Sequence, residues 1–248
     1  MIASGLVSVT FRELAPSEIV RLTAKAGMDG IEWGGDIHVP PGQITLAREV
    51  YQMTADAGLK ALAYGSYYRV GEKEEKPFEA ILETASELHT RVIRVWAGRR
   101  ASAEADPKYW DHVINESRRI AELASAEGIT VAYEFHGRTL TDTDEIAVRL
   151  VEEVAHPHMK SYWQIPNDRD AESSLKTVLP WLTNIHVFYW EQERLMLAKG
   201  SDVWNRLLKI IQSTGRDHSA MIEFVKDNDP DNFLMDAKTL LGWILRLR

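Results

Sequence analysis

The 248-residue sequence predicts an α/β protein folded as a single (β/α)8 barrel over residues 1–248. Three observations carry that expectation. The length suits one eight-fold barrel. Eight short apolar or β-branched runs recur along the chain, each followed by a segment of helical periodicity, which is the pattern of a parallel sheet built from βα units. The joins also repeat: AKAGMDGIEW, ADAGLKALAY and SAEGITVAYE each set a Gly directly after a helical pattern, where a left-handed residue ends the helix before the next strand.

In order, the expected strands are 6–10 (LVSVT), 30–33 (GIEW), 60–64 (KALAY), 92–96 (VIRVW), 130–133 (TVAY), 160–163 (KSYW), 184–187 (NIHV) and 220–224 (AMIEF). Helix starts are readable between them. Pro16 and Ser17 open a segment that runs to Lys25, and Thr143 with Asp144 precedes the run 145–154. The stripe Val203, Leu207, Leu208 and Ile211 and the apolar segment 233–247 read as helix faces turned toward the barrel. The irregular stretches 34–42, 65–76, 97–106, 135–142, 164–170 and 188–200 all follow strands, not helices. In this architecture the loops after the strands carry function.

Composition narrows the function. Acidic side chains outnumber basic ones, 37 to 29, for a net charge of −8, which repels a phosphate backbone and argues against a nucleic-acid partner. There is no cysteine, so disulfides, thiolate ligands and cysteine nucleophiles are excluded, and any metal must be held by oxygen and imidazole. The start MIASGLVSVTFREL lacks a basic leader with an apolar core, and no apolar run approaches the roughly 20 residues of a membrane helix. A cytoplasmic protein with no membrane partner is expected.

Strand parity brings chemistry to one face. With side chains alternating, Glu134 shares a face with Ala132 and Thr130, Gln164 with Tyr162, His186 with Asn184, and Glu223 with Met221. Ile185, Val187, Ile222 and Phe224 fall on the opposite, apolar face. Four consecutive strands thus each offer one metal-capable side chain at their ends. Two carboxylates, an amide oxygen and an imidazole suit a divalent ion such as Mn, Mg, Co or Zn. Without a cation the two glutamates would repel each other and one would gain a proton. The plainer alternatives are a satisfied ion pair for Glu134 and Glu223, and a buried imidazole bonded to a carbonyl for His186.

The strand ends VAYEFHG, YWQ, NIHVFYW and IEFVKDN, preceded by GMDGIEWGGD, resemble the sugar phosphate isomerase/epimerase family of the xylose-isomerase-like TIM-barrel superfamily. The resemblance covers nearly the whole chain. It implies that Glu134 and Glu223 are both metal ligands and the acid/base pair, with His186 a further ligand. The family's sixth strand usually ends in Asp with His three residues on, and here those positions hold Gln164 and Asn167. An amide oxygen still coordinates but brings no charge, so weaker metal binding is expected. The family also implies dimers or tetramers.

Such a site polarises a carbonyl, so that a carboxylate removes the neighbouring C–H proton and an enediolate forms. Two opposed glutamates suit epimerisation of a small sugar or polyol; isomerisation uses the same parts, and expulsion of water makes a dehydratase of the inosose type. Glu32, His38, Tyr64, Arg94, Trp96 and His136, in or beside strand-end loops, are candidate substrate-binding residues. Each also has an ordinary packing reading, and for Arg94 that is a salt bridge inside the barrel. Two other classes compete. Phosphodiester cleavage of the endonuclease IV kind needs more metal-binding histidines and a basic face. A sugar-binding barrel without catalysis is favoured only by Gln164.

Overall fold

In a computed structural model, which describes residues 1–247, eight parallel strands close into a barrel in chain order. They are β1 (Ile2–Val7), β2 (Gly30–Gly34), β3 (Lys60–Arg69), β4 (Val92–Trp96), β5 (Thr130–Tyr133), β6 (Met159–Gln164), β7 (Leu182–Val187) and β8 (His218–Ile222). The ring is sealed by β1 against β8, from Ile2 opposite His218 to Leu6 opposite Ile222. The outer ring is α1 (Pro16–Lys25), α2 (Ile44–Asp56), α3 (Phe78–Glu87), α4 (Pro107–Ala126), α5 (Asp144–Val154), α6 (Ala171–Val178), α7 (Ser201–Ser213) and α8 (Pro230–Leu245). Among the described residues no helix is long and apolar enough to cross a membrane.

Local chemistry sets the element ends. Gly27, Gly58 and Gly128 all take positive φ where the sequence places a helix stop. The Thr143 hydroxyl accepts from the Ile146 amide at the start of α5, a cap worth about 1 kcal/mol.

Three strand expectations are corrected. The first strand is Ile2–Val7, not 6–10, and Ser8–Phe11 forms a 3-10 turn. The β-branched run there misleads. The Ser8 hydroxyl accepts from the Gly34 amide at 2.9 Å and bonds His38 Nδ1 at 2.9 Å, ending the strand. Meanwhile weak-propensity Gly5 belongs to β1, in register with Gly30 and Met221, and a Cβ there would lie 2.6 Å from Leu62 Cδ1. β3 runs five residues beyond the expected Tyr64, broken in register between Gly65 and Arg69 with Tyr67 at φ 59°. β8 stops at Ile222, and Phe224, with φ 59°, leaves the apolar face to join Phe188 and Trp190 at the mouth.

Two apolar layers result. The larger lies between strands and helices and includes Trp33, Trp163, Trp204, Ile185, Val187 and Ile222. The smaller fills the barrel interior with Val7, Ala63, Ala132, Tyr162 and Met221. The parity reading of β5, β6 and β8 is met: Ala132, Tyr162 and Met221 point inward, and the next inward positions belong to Glu134, Gln164 and Glu223.

Candidate active site

At the carboxyl end of the barrel the interior turns from apolar to ionic. Glu32 on β2, Arg94 on β4, Glu134 after β5, His186 on β7 and Glu223 after β8 are all buried. Glu134 and Glu223 each stand one residue past their strand's end, and their amides still bond the neighbouring strand at Val95 O and Val187 O. That fixes both backbones before any side chain acts.

Arg94 ties two carboxylates together. Its Nε donates to Glu32 Oε1 at 2.7 Å and its Nη1 donates to Glu134 Oε2, which also receives the Trp96 indole N–H. The other Glu32 oxygen accepts from the Tyr162 hydroxyl at 2.9 Å, and Asn184 donates to that hydroxyl at 3.0 Å. His186 stands in the middle: Nε2 lies 3.3 Å from Glu32 Oε2, while Nδ1 lies 3.5 Å from Glu134 Oε1 and 3.2 Å from Glu223 Oε2. Glu32 therefore orients the ring, with Nε2 toward it and Nδ1 toward the other two carboxylates.

Burial disfavours every charge in this cluster, so the sign of each shift reports which partners win. For Glu134, burial pushes the carboxyl up, but Arg94 and His186 outweigh it and hold it down at about 2. Glu32 is held low in the same way, by Arg94 and then His186. Burial opposes a charged His186, yet Glu223, Glu32 and Glu134 raise it well above the ordinary imidazole range.

Glu134, His186 and Glu223 each present a ligand atom within 4.8 Å of the others. Glu223 Oε2 is buried and accepts no hydrogen bond, although His186 Nδ1 stands 3.2 Å away. A buried carboxylate oxygen without a hydrogen bond is costly, and a cation resolves that cost. Two carboxylates and an imidazole therefore fit a hard or borderline divalent ion. Gln164 sits beside His186 in the β6–β7 register, and its amide nitrogen donates to Phe135 O at 2.8 Å, leaving Oε1 as its acceptor.

Above the cluster opens a cavity of about 510 Å3, walled by the 9–14 turn, Tyr67, Arg94, Trp96, Glu134, His136, Arg194, Glu223 and Phe224. Of the expected substrate-binding residues, Arg94, Trp96 and His136 line it. Glu32, His38 and Tyr64 do not. Glu32 lies beneath the mouth as described; His38 is buried between Ser8 and the Leu14 carbonyl; the Tyr64 hydroxyl donates to Val39 O at 2.7 Å. These last two are packing residues with satisfied polar ends. Sequence reading missed Tyr67, whose ring lies 4.9 Å from the Arg94 guanidinium, and Arg194, which is stacked over Trp190 and Phe224. No periodicity marks either, because Tyr67 sits at a register break and Arg194 in a loop.

A closed barrel of eight parallel strands with carboxylates and an imidazole at its carboxyl end defines a class of (β/α)8 proteins with a candidate metal centre at the mouth. A family model described as xylose isomerase-like TIM barrel matches residues 20–244, and the chain belongs to that family. It is 24% identical to a 3-dehydroshikimate dehydratase of Bacillus anthracis over 95% of both chains. A crystal structure of a probable 3-DHS dehydratase from Bacillus anthracis superimposes with TM-score 0.80 at 23% identity, over 97% of this chain and 99% of that one. D-Psicose 3-epimerase from Clostridium cellulolyticum, solved with D-tagatose, superimposes with TM-score 0.74 at 16% identity, over 99% of each.

Proposed function

We propose that this protein is a metal-dependent lyase that removes water from a small polyhydroxylated ketone, with Glu223 as the base. One observation carries the choice between elimination and epimerisation: the two glutamates are not equivalent. Both donors on Glu134 converge on one oxygen, Arg94 and Trp96 together, whereas Glu223 meets neither of them and faces only the His186 imidazole, at 3.2 Å. An epimerase needs two carboxylates that exchange roles on opposite faces of one carbon. A clamped Glu134 is a poor partner in that exchange, and a single base is enough for elimination. Similarity to a dehydratase over nearly the full length supports the same reading.

Glu134, His186 and Glu223 would hold the ion, with Gln164 Oε1 as a neutral fourth donor. The ion, when bound, supplies Lewis-acid polarisation of the substrate carbonyl and so acidifies the adjacent C–H. Glu223 takes that proton, the C–H electron pair becomes the new C=C bond, and the C–O bond to the neighbouring hydroxyl breaks. Glu223 returns the proton to the departing oxygen, so water is the only co-product. Glu134 stays ionised throughout under Arg94 and Trp96, while Glu32 holds His186 in orientation. Trp96 and His136, whose rings lie 4.5 Å apart, wall the cavity on one side.

The test incubates metal-loaded protein with 3-dehydroshikimate in D2O and follows ultraviolet absorbance for a conjugated aromatic product. Its appearance, with loss in Glu223→Gln, is expected. A second reading, epimerisation, rests on the preserved glutamate pair; ketohexoses that return with deuterium at C3 and no loss of water would replace the lyase reading with it.

A further inference from the structure

Most of the charges that wall the cavity above Glu223 are already spent. Arg94 is held by Glu32 and Glu134. Arg12 pairs with Asp36 at 2.7 Å. Glu134 and Glu223 belong to the candidate metal centre. Two charged side chains of the wall remain, Glu13 and Arg194, and among the described residues neither makes an ion pair. Glu13 is exposed on the 9–14 turn, where water solvates it, whereas Arg194 is half-buried.

Arg194 is held in place although no carboxylate neutralises it. The chain reverses between β7 and α7: Trp190 and Arg194 form an antiparallel bridge, and the Leu195 amide donates to Tyr189 O at 2.9 Å. The guanidinium lies 5.4 Å from the Trp190 ring centroid and 5.2 Å from that of Phe224, and its Nη1 donates to Asn228 Oδ1 at 2.6 Å. Phe224 and Asn228 both line the cavity, so the head group they hold lies at the cavity wall. Its remaining N–H groups have no partner among the described residues. A planar fork ordered in advance loses little further freedom when it takes a ligand.

We infer that Arg194 determines specificity by binding a carboxylate of the substrate through the free edge of its guanidinium, so that the substrate is a small single-ring hydroxy-keto acid and not a neutral sugar. The inference rests on the lyase reading only in placing the reacting carbons over Glu223. A carboxylate meets a guanidinium through two parallel N–H···O bonds, which fix its plane as well as its distance. Phe224 directly follows Glu223, and Arg194 stacks on Phe224, so anchoring one end of the ring at Arg194 sets which C–H faces the base. One uncommitted guanidinium matches the charge of a carboxylate. A phosphate dianion would need a second cation, and Arg12 and Arg94 are both paired. The volume of about 510 Å3 lies in the lower half of the ~300–1,000 Å3 typical of small-molecule sites and suits one ring.

Isothermal titration of metal-loaded protein with shikimate and with methyl shikimate tests it. The probes share one hydroxylated ring and differ in the carboxylate charge, and neither carries a ketone, so binding is read without turnover. Shikimate is expected to bind roughly 10–100-fold more tightly, the range of one charge-assisted hydrogen-bonded contact. Arg194→Gln should bring the two probes within about twofold of each other, with ester affinity and metal content unchanged. Arg12→Gln, which breaks the pair with Asp36, should keep the preference. No preference in the wild type, or one that survives Arg194→Gln, would overturn the anchor and leave Arg194 a packing residue of its loop. Fructose 6-phosphate that binds more tightly than shikimate would overturn the carboxylate assignment. A preference erased by Arg194→Gln, in a protein that dehydrates no 3-dehydroshikimate, would support the anchor and count against the lyase reading alone. Equal dehydration by the wild type and Arg194→Gln would support the lyase reading and overturn the anchor.

Discussion

The two packed layers of this barrel teach different lessons. Between strands and helices, bulky side chains such as Trp163 and Trp204 are buried, with polar tips spent on structure: Trp204 donates to Phe188 O at 2.9 Å and Trp163 to Ser174 Oγ at 3.0 Å. Inside the barrel, Val7, Ala63, Ala132, Met221 and the ring of Tyr162 fill the interior, and three carboxylates, one guanidinium and one imidazole gather toward the mouth. The outer layer gains from apolar burial at roughly 25 cal/mol per Å2. In the inner cluster the ion pairs outweigh the desolvation of Glu32, Glu134 and His186, so each charge there depends on its partners rather than on apolar burial. Stability thus concentrates outside and chemistry inside.

Substitutions in each layer should separate the two. Glu223→Gln is expected to lower kcat by about 10²–10⁴-fold, the usual contribution of a positioned base. Its thermal midpoint should hold, because Glu32 and Glu134 still face the His186 imidazole when the Glu223 charge is removed. A marked fall in melting temperature would show that the inner cluster also holds the fold. Trp204→Ala is the mirror case. Removing this fully buried indole should cost about 3–5 kcal/mol in urea unfolding while metal content per folded protein stays unchanged.

A smaller effect is expected where the layers meet the ligand set. Glu32→Gln weakens the carboxylate that orients His186, so metal affinity should fall about 10–100-fold in a competition titration. Unchanged affinity would reduce Glu32 to a partner of Arg94. The smallest effect lies at the outer rim. Burial pushes the Asp236 carboxyl up to about 6, against the Leu197 amide that donates to it at 2.8 Å. A carboxyl raised above its unfolded value favours folding when protonated, so its contribution is present at low pH and is lost as pH rises from about 4 through 6. Asp236→Asn keeps the acceptor and should add about 1–2 kcal/mol at pH 8, fading below pH 4. A gain that does not vary with pH would exclude this origin.

The misreadings have particular causes. The run VSVT has β propensity, but Ser8 spends its hydroxyl on Gly34 and His38 and turns the chain. Phe224 breaks the alternation of β8 because its backbone turns left-handed after Glu223. His38 and Tyr64 stand in or beside loops after strands, where function concentrates, yet each finds a local carbonyl and stays in the core. The inward facing of Glu134, His186 and Glu223 was legible because alternation survives wherever a strand remains regular up to its end.

What the sequence by itself determined is local: the eight βα units, the glycine stops with positive φ, the α5 cap, and the shared face of the residues that meet at the mouth. Each follows from backbone sterics and a period of two or 3.6 residues. Only the tertiary structure decided how those residues are paired. Glu32 meets Arg94 across 62 residues and Tyr162 across 130, and Arg94 reaches Glu134 across 40. No periodicity links positions so far apart. Barrel closure and strand register set those distances, and through them decided that Glu134 is clamped by Arg94 and Trp96 while Glu223 faces His186 alone.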